Sequence, residues 1–183
     1  LSPLPLNRSR LNAARCIRIV CVTNLNYLEK LEGVKEILSS LARGQLNDLE
    51  FQIDILGGGD NYDHLIQFVA NLNVSFEIRC HGYKQNVESY LTAADIFVYQ
   101  SGLDAWPNVI LEAMRHGLPI ITEQGSCFIE MLSEKQIELL VVDKKEDFVS
   151  GPLLKLVSDD QLYFEMCRES QRQLNFLIDS QLS

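Results

Sequence analysis

No apolar run in this 183-residue sequence approaches the roughly 18 residues that a membrane span requires, and its first residues lack the basic-then-apolar order of a signal peptide. The expected compartment is therefore the cytoplasm. Basic residues are scarce, 16 Lys and Arg against 25 Asp and Glu, for a formal net charge of -9. Nucleic-acid surfaces depend on clustered cations that neutralise phosphates, so this balance argues against a polyanion-binding function. Any phosphate-bearing ligand must be held in a small local site. Histidines are few and far apart (His64, His81, His116) and no H-E-x-x-H occurs, so no metal site is expected. The cysteines Cys16, Cys21, Cys80, Cys127 and Cys167 are odd in number, at no close paired spacing, and read as reduced core residues. A P-loop, a Gly-x-Ser-x-Gly elbow and a G-x-G-x-x-G after the first apolar run are all missing, which makes a dinucleotide-binding oxidoreductase a poor reading.

The hydrophobic share of 46% with 22% charged residues suits one packed domain. Residues 1–16, opening with Pro3 and Pro5 and continuing through a polar stretch, read as an interdomain linker, and residues 17–183 as the domain. Apolar runs of strand length recur at 17–22, 51–56, 75–80, 95–99, 118–122 and 139–142. Between them Val34, Ile37, Leu38 and Leu41, and then Leu65, Phe68, Val69 and Leu72, repeat at the three-and-four spacing of a helix. Beyond Glu146 the pattern stays helical, and those helices either close the fold or pack on another body. Strand and helix in alternation, with strands apolar enough for burial on both faces, predict an α/β fold: a Rossmann-like, doubly wound parallel sheet of about six strands with helices on both faces. Ligands of such sheets bind at the carboxyl ends of the strands.

The stretch from Ser101 to Pro119 carries the most chemistry. Pro107 suits the first turn of a helix and Gly117 the position just past its end. Free amides of Asn108, Val109 and Ile110 would then point out of the N-terminus, where the backbone dipole favours an anion. Asp104 sits in the loop ahead of that helix and Glu112 eight positions on, inside it. Spacing alone leaves two readings open: one carboxylate at the mouth of a ligand site with the other at its side, or a loop cap and a solvated helix residue.

Asp104-x7-Glu112, set in Pro-Asn-Val-Ile-Leu-Glu-Ala-Met and followed by Gly117-Leu118-Pro119, resembles the E-x7-E signature of the group-one retaining glycosyltransferases. The similarity extends from Ile17 to about Asp143 and includes Asn24 to Gly33, Leu56-Gly57-Gly58-Gly59, His81-Gly82 and Ala93-Ala94-Asp95. The resemblance implies the C-terminal, donor-binding half of a two-Rossmann-domain (GT-B) architecture. It implies transfer of a sugar from a nucleoside-diphosphate sugar to an acceptor hydroxyl with retained configuration, in polysaccharide or glycoconjugate synthesis. The nucleotide sugar is then a substrate and no cofactor is expected. The acceptor (a glycan, a lipid or a small molecule) would be held by an N-terminal domain, through which peripheral membrane attachment stays open.

Residue by residue, the resemblance assigns Asp104 to the transferred sugar and Glu112 to the ribose hydroxyls. Asp104 is one methylene shorter than the family's Glu. Asn24 stands where the family carries Arg, and Lys30 is the nearest match for its Lys, which would stabilise the leaving diphosphate. Gly58 and Gly59 are expected either at the ligand or in a strand-to-helix turn. His81 and Gly82, read as following the third strand, fall where the family binds the base; a satisfied loop histidine is the alternative for His81. Ser101, which opens the loop that carries Asp104, is a further candidate for binding the nucleotide-sugar donor, and Trp106 suits either a sugar pocket or a packing role. Asp104 and Asn24 also keep open a non-catalytic nucleotide-sugar-binding module, and a sugar-nucleotide epimerase of the same architecture is a third reading.

Overall fold

In chain order the elements are β1 (Ile17–Val22), α1 (Leu28–Arg43), β2 (Phe51–Leu56), α2 (Tyr62–Ala70), β3 (Glu77–Gly82), α3 (Glu88–Ala93), β4 (Ile96–Val98), α4 (Asn108–Arg115), β5 (Ile120–Glu123), α5 (Glu134–Leu140), β6 (Val141–Val142), α6 (Ser150–Ser158) and α7 (Asp160–Gln181). The structure is a computed structural model that describes residues 2–5, 11, 15–44, 46, 48–143 and 147–181. Six strands form one sheet in the order β3-β2-β1-β4-β5-β6, every adjacent pair parallel. From β1 the chain steps outward through β2 to β3, returns to β4 and steps the other way to β6. Right-handed crossovers then put α1 and α2 on one face and α3, α4 and α5 on the other. This is the doubly wound arrangement that the alternation of apolar runs predicts.

Burial follows the sequence pattern. Ile17, Ile19, Ile53, Ile55, Ile96 and Ile120 are buried at the centre of the sheet, and Leu31, Val34, Ile37, Leu38 and Leu41 line the inner side of α1. The C-terminal helices close the fold. Tyr163, Met166, Cys167 and Leu174 of α7 are buried, and Ser170 Oγ donates to Leu118 O at 2.7 Å while accepting from Gln136 Nε2. Of residues 1–16, positions 1, 6–10 and 12–14 lie outside the described residues. Leu4 lies against the domain: its N–H donates to Arg115 O and its carbonyl accepts from Gln171.

Two departures from the sequence reading have a clear physical cause. β3 ends at Gly82 because its pairing with β2 runs on, with Gly57 N donating to Gly82 O at 2.9 Å. His81-Gly82 therefore closes the strand instead of following it. The register passes from Ile55↔Cys80 to Leu56↔Gly82, leaving His81 as the extra residue of a bulge. Residues 139 and 140, read as strand, complete α5, whose start is fixed by a Ser133–Gln136 capping box. A short apolar run does not by itself distinguish a strand from the buried end of a helix.

Candidate functional site

β1 and β4 are neighbours whose following helices leave to opposite faces, so the 23–27 and 99–107 loops diverge and open a crevice at the switch point. Lys30, near the start of α1, turns inward there and is only 3% exposed. Its ammonium donates to Tyr99 Oη at 2.5 Å, to Ser101 Oγ at 2.8 Å and to Asp104 Oδ2. An ammonium has three donors, and this cluster takes all of them. Ser101 Oγ also accepts from the amides of Leu103 and Asp104, which folds the loop over the lysine. Tyr99 and Ser101 are buried, whereas the Asp104 side chain is 46% exposed. Burial, with the charge of Asp104 second, pushes the Tyr99 phenol well above its ordinary range, so it remains a neutral O–H.

Two clefts flank Val87 along the same carboxyl edge. The first, about 310 Å³, is lined by Thr23, Asn24, Asn26, Gly57, Gly58, Tyr83 and Lys84 among others. Its floor has no room for side chains. A Cβ on Gly57, whose φ is +152°, would lie 2.0 Å from Thr23 O, and one on Gly59 2.4 Å from Asn26 N. Gly58 lines the cleft, while Gly59 lets the 23–27 loop pack against the turn. The second cleft, about 340 Å³, is lined by Gln85, Asn86, Glu88, Glu112, Arg115 and His116. Burial raises the Glu112 carboxyl above the usual glutamate range.

α4 begins one residue later than Pro107 suggests. Pro107 is the N-cap, with φ -74° and ψ 125°, and Asn108 is the first helical residue. The amides of Asn108 and Val109 meet no backbone carbonyl among the described residues, as expected for the first turn. Ile110 departs from expectation. Its N–H donates to Pro107 O at 3.0 Å in a tightened first turn, so two backbone donors, not three, open from this end. At the other end Gly117, with φ +63°, stops the helix as predicted.

The structure brings Lys30, Ser101 and Asp104 together, and seats Gly58 in one cleft and Glu112 in the other. It does not bring the imidazole of His81 to either. The ring's Nε2 donates to the Asp54 Oδ1 carboxylate oxygen at 2.6 Å, and its Nδ1 lies 3.4 Å from Tyr90 Oη. With Gln52 Nε2 donating to Asp54 Oδ2, it belongs to a polar network on the sheet, beside a 220 Å³ hollow shared with Arg18 and Arg79. Gly82, with φ +65°, turns the chain toward Tyr83 and Lys84 at the first cleft. Sequence reasoning missed Tyr99, which looked like the last apolar residue of a strand. The available signal was its phenol, a polar group at a strand's carboxyl end that requires a partner when buried. Tyr27, Leu28, Tyr83, Leu103 and Trp106 are large, exposed apolar residues of the loops and first helical turn at this edge. Trp106, 45% exposed, is not a core residue.

Comparison with known proteins bears directly on this geometry. The model for the family described as glycosyl transferases group 1 matches residues 18–173. The lipopolysaccharide core biosynthesis glycosyltransferase LpsE of Rhizobium meliloti is 34% identical over 71 residues, covering 39% of this chain and 21% of that protein. N-acetyl-alpha-D-glucosaminyl L-malate synthase of Bacillus anthracis is 21% identical over 143 residues, 78% of this chain and 37% of that protein. The chain thus spans less than half the length of these curated relatives. Among solved structures, Anabaena HepE in complex with UDP and glucose matches with a TM-score of 0.68 at 16% identity, over 93% of this chain and 49% of that one. The C-terminal domain of the group 1 protein LpcC from Francisella tularensis matches with a TM-score of 0.68 at 18% identity, over 96% of this chain and 94% of that one. These likenesses establish a GT-B glycosyltransferase domain fold. No helix among the described residues is long and apolar enough to cross a membrane. With its family model matched along most of its length, the chain belongs to the glycosyl transferases group 1 family.

Proposed function

We propose that this domain holds the nucleoside-diphosphate-sugar donor of a glycosyltransferase that acts with retention of configuration. The observation that carries this reading is the meeting of Lys30 and Asp104 at the switch point of the sheet. A cation suited to a diphosphate and a half-exposed carboxylate suited to sugar hydroxyls share one place. The amides of Asn108 and Val109 and the dipole of α4 add further affinity for the anion. Glu112, in the second cleft, takes the ribose hydroxyls. The base falls to the backbone near Gly82 and Tyr83, and the imidazole of His81 stays with Asp54.

As the glycosidic bond breaks, its electron pair leaves with the β-phosphate oxygen. Lys30 stabilises the charge that grows there. The acceptor hydroxyl arrives on the face from which the diphosphate departs and gives up its proton to the leaving oxygen. Asp104 positions the sugar and forms no covalent bond to it. The apolar ring at this edge supports a second domain as the acceptor's wall, which would also exclude water from the cleft.

Calorimetric titration of the chain with UDP, GDP, ADP and dTDP tests donor binding. One of them is expected to bind with a Kd near or below about 100 μM, and UDP is the first choice because HepE was solved with it. Failure of all four to bind would overturn the reading. Stereochemistry is checked on the full-length protein by NMR of the first-formed product, where an inverted anomeric centre would refute retention.

A further inference from the structure

We infer that Tyr99 is a positioning residue for Lys30: with Ser101 it fixes the ammonium through uncharged partners, so that the cation stays in place when Asp104 gives way to a phosphate oxygen. The inference rests on the reading of Lys30 as the cation of the diphosphate. Each of the three donors of Lys30 is occupied, so a ligand oxygen can bind only by displacing one partner. The three partners differ in how easily they leave. Tyr99 is 3% exposed, and its ring is wedged 5.3 Å from Phe128 and 6.1 Å from Phe97. Ser101 is 1% exposed and tied by its hydroxyl and carbonyl to three neighbouring amides. Asp104 lies on a loop with nearly half of its side chain in solvent, and water compensates its carboxylate once it turns away.

The chemistry of the two buried partners fits the task. A buried carboxylate in either place would spend the charge of the lysine, whereas a phenol and a hydroxyl orient it and leave the charge available to the ligand. The Tyr99 hydroxyl accepts from Lys30 and directs its own proton to Asp104 Oδ2, 3.3 Å away. Burial keeps that proton on the phenol.

Tyr99→Phe removes the hydroxyl and keeps the ring, so the fold is retained. The test is a double-mutant cycle with Lys30→Met, read as Kd for UDP and for inorganic pyrophosphate, which has no base or ribose to mask the effect. Tyr99→Phe is expected to weaken both ligands about tenfold in the wild-type background and to change neither further in Lys30→Met. The 15N resonance of the Lys30 ammonium should also shift and exchange faster with water in Tyr99→Phe. Equal losses in both backgrounds would make Tyr99 merely structural, and no loss in the wild-type background would also overturn the role. Unchanged affinity in Lys30→Met alone would instead refute the reading of Lys30, and the positioning role with it.

Discussion

Among the aspartates that meet a side chain able to carry positive charge, Asp54 and Asp104 have settings that differ in every respect that governs exchange. Asp54 is held on β2, with its side chain 13% exposed, one oxygen accepting from His81 and the other from Gln52. Each of its partners sits on a paired strand. Asp104 lies on the loop between β4 and α4, 46% exposed, and both of its hydrogen-bonding partners converge on the same oxygen, Oδ2. A carboxylate with both oxygens engaged on a rigid sheet stabilises the fold. One with a free oxygen and access to water can trade its partner for a ligand. The same residue type, in the same kind of pair, is architecture in one place and a candidate for chemistry in the other.

The most direct way to break the comparison is to remove the positive partner from the exchangeable pair. Lys30→Met should weaken UDP binding by about 100-fold or more, the worth of a charge-assisted contact to phosphate. The melting temperature should change by no more than about 2 °C, because Met fills the space, no ammonium must be desolvated and Asp104 can hydrate. Calorimetry with a parallel thermal melt decides it, and an unfolded Lys30→Met would place this pair with the structural one. Asp54→Ala should do the converse. Loss of both its hydrogen bonds is expected to cost about 1–3 kcal/mol of stability in urea unfolding while leaving UDP affinity within twofold. A folded Asp54→Ala that no longer binds UDP would move the His81 network into the site.

Glu112 sharpens the contrast by a smaller amount. Glu112→Gln should weaken UDP by roughly tenfold through one lost charged hydrogen bond to the ribose. Its pH behaviour has a definite sign. Burial raises the folded-state pKa, so between the ordinary glutamate value and that raised value the folded chain binds a proton that the unfolded chain does not. Across that window the Glu112 contribution to stability grows as pH falls, while UDP affinity should decline if the proposed ribose contact uses the carboxylate. Affinity and stability measured from pH 7 to pH 4.5 on wild type and Glu112→Gln test this, and parallel declines in both quantities would contradict it. The smallest expected effect is that of chelation. EDTA should leave UDP affinity unchanged, since Lys30 and the α4 amides supply the positive potential in the proposed site. A large loss would show that a metal ion takes part.

The legibility of the fold came from periodicity. Ile19-Val20 and Ile55-Leu56, apolar at adjacent positions, mark strands that need cover on both faces, and Leu31, Val34, Leu38 and Leu41 mark a helix that supplies it, so sheet and layers could be read from the sequence alone. Boundaries were less legible because they depend on partners. β3 reaches Gly82 only because Gly57 offers an N–H beside it, and Leu139 and Leu140 join α5 because a capping box at Ser133 sets its start. The Asp104 and Glu112 motif was visible as local spacing on one loop and one helix. The Lys30–Asp104 contact joins residues 74 positions apart, and Tyr99 gave no periodic signal of its own.

By itself, then, the sequence determined whatever depends on near neighbours: the alternation of strands and helices, the glycine that ends α4 and the family signature between Ser101 and Pro119. Tertiary structure alone decided which polar groups share a place. It sent His81 to Asp54 and away from the clefts, and it set Lys30 among Tyr99, Ser101 and Asp104. The reason is physical. A backbone propensity is settled within a few residues, but a buried polar group must find its partner wherever the packed chain provides one, and that choice is made only when distant segments meet.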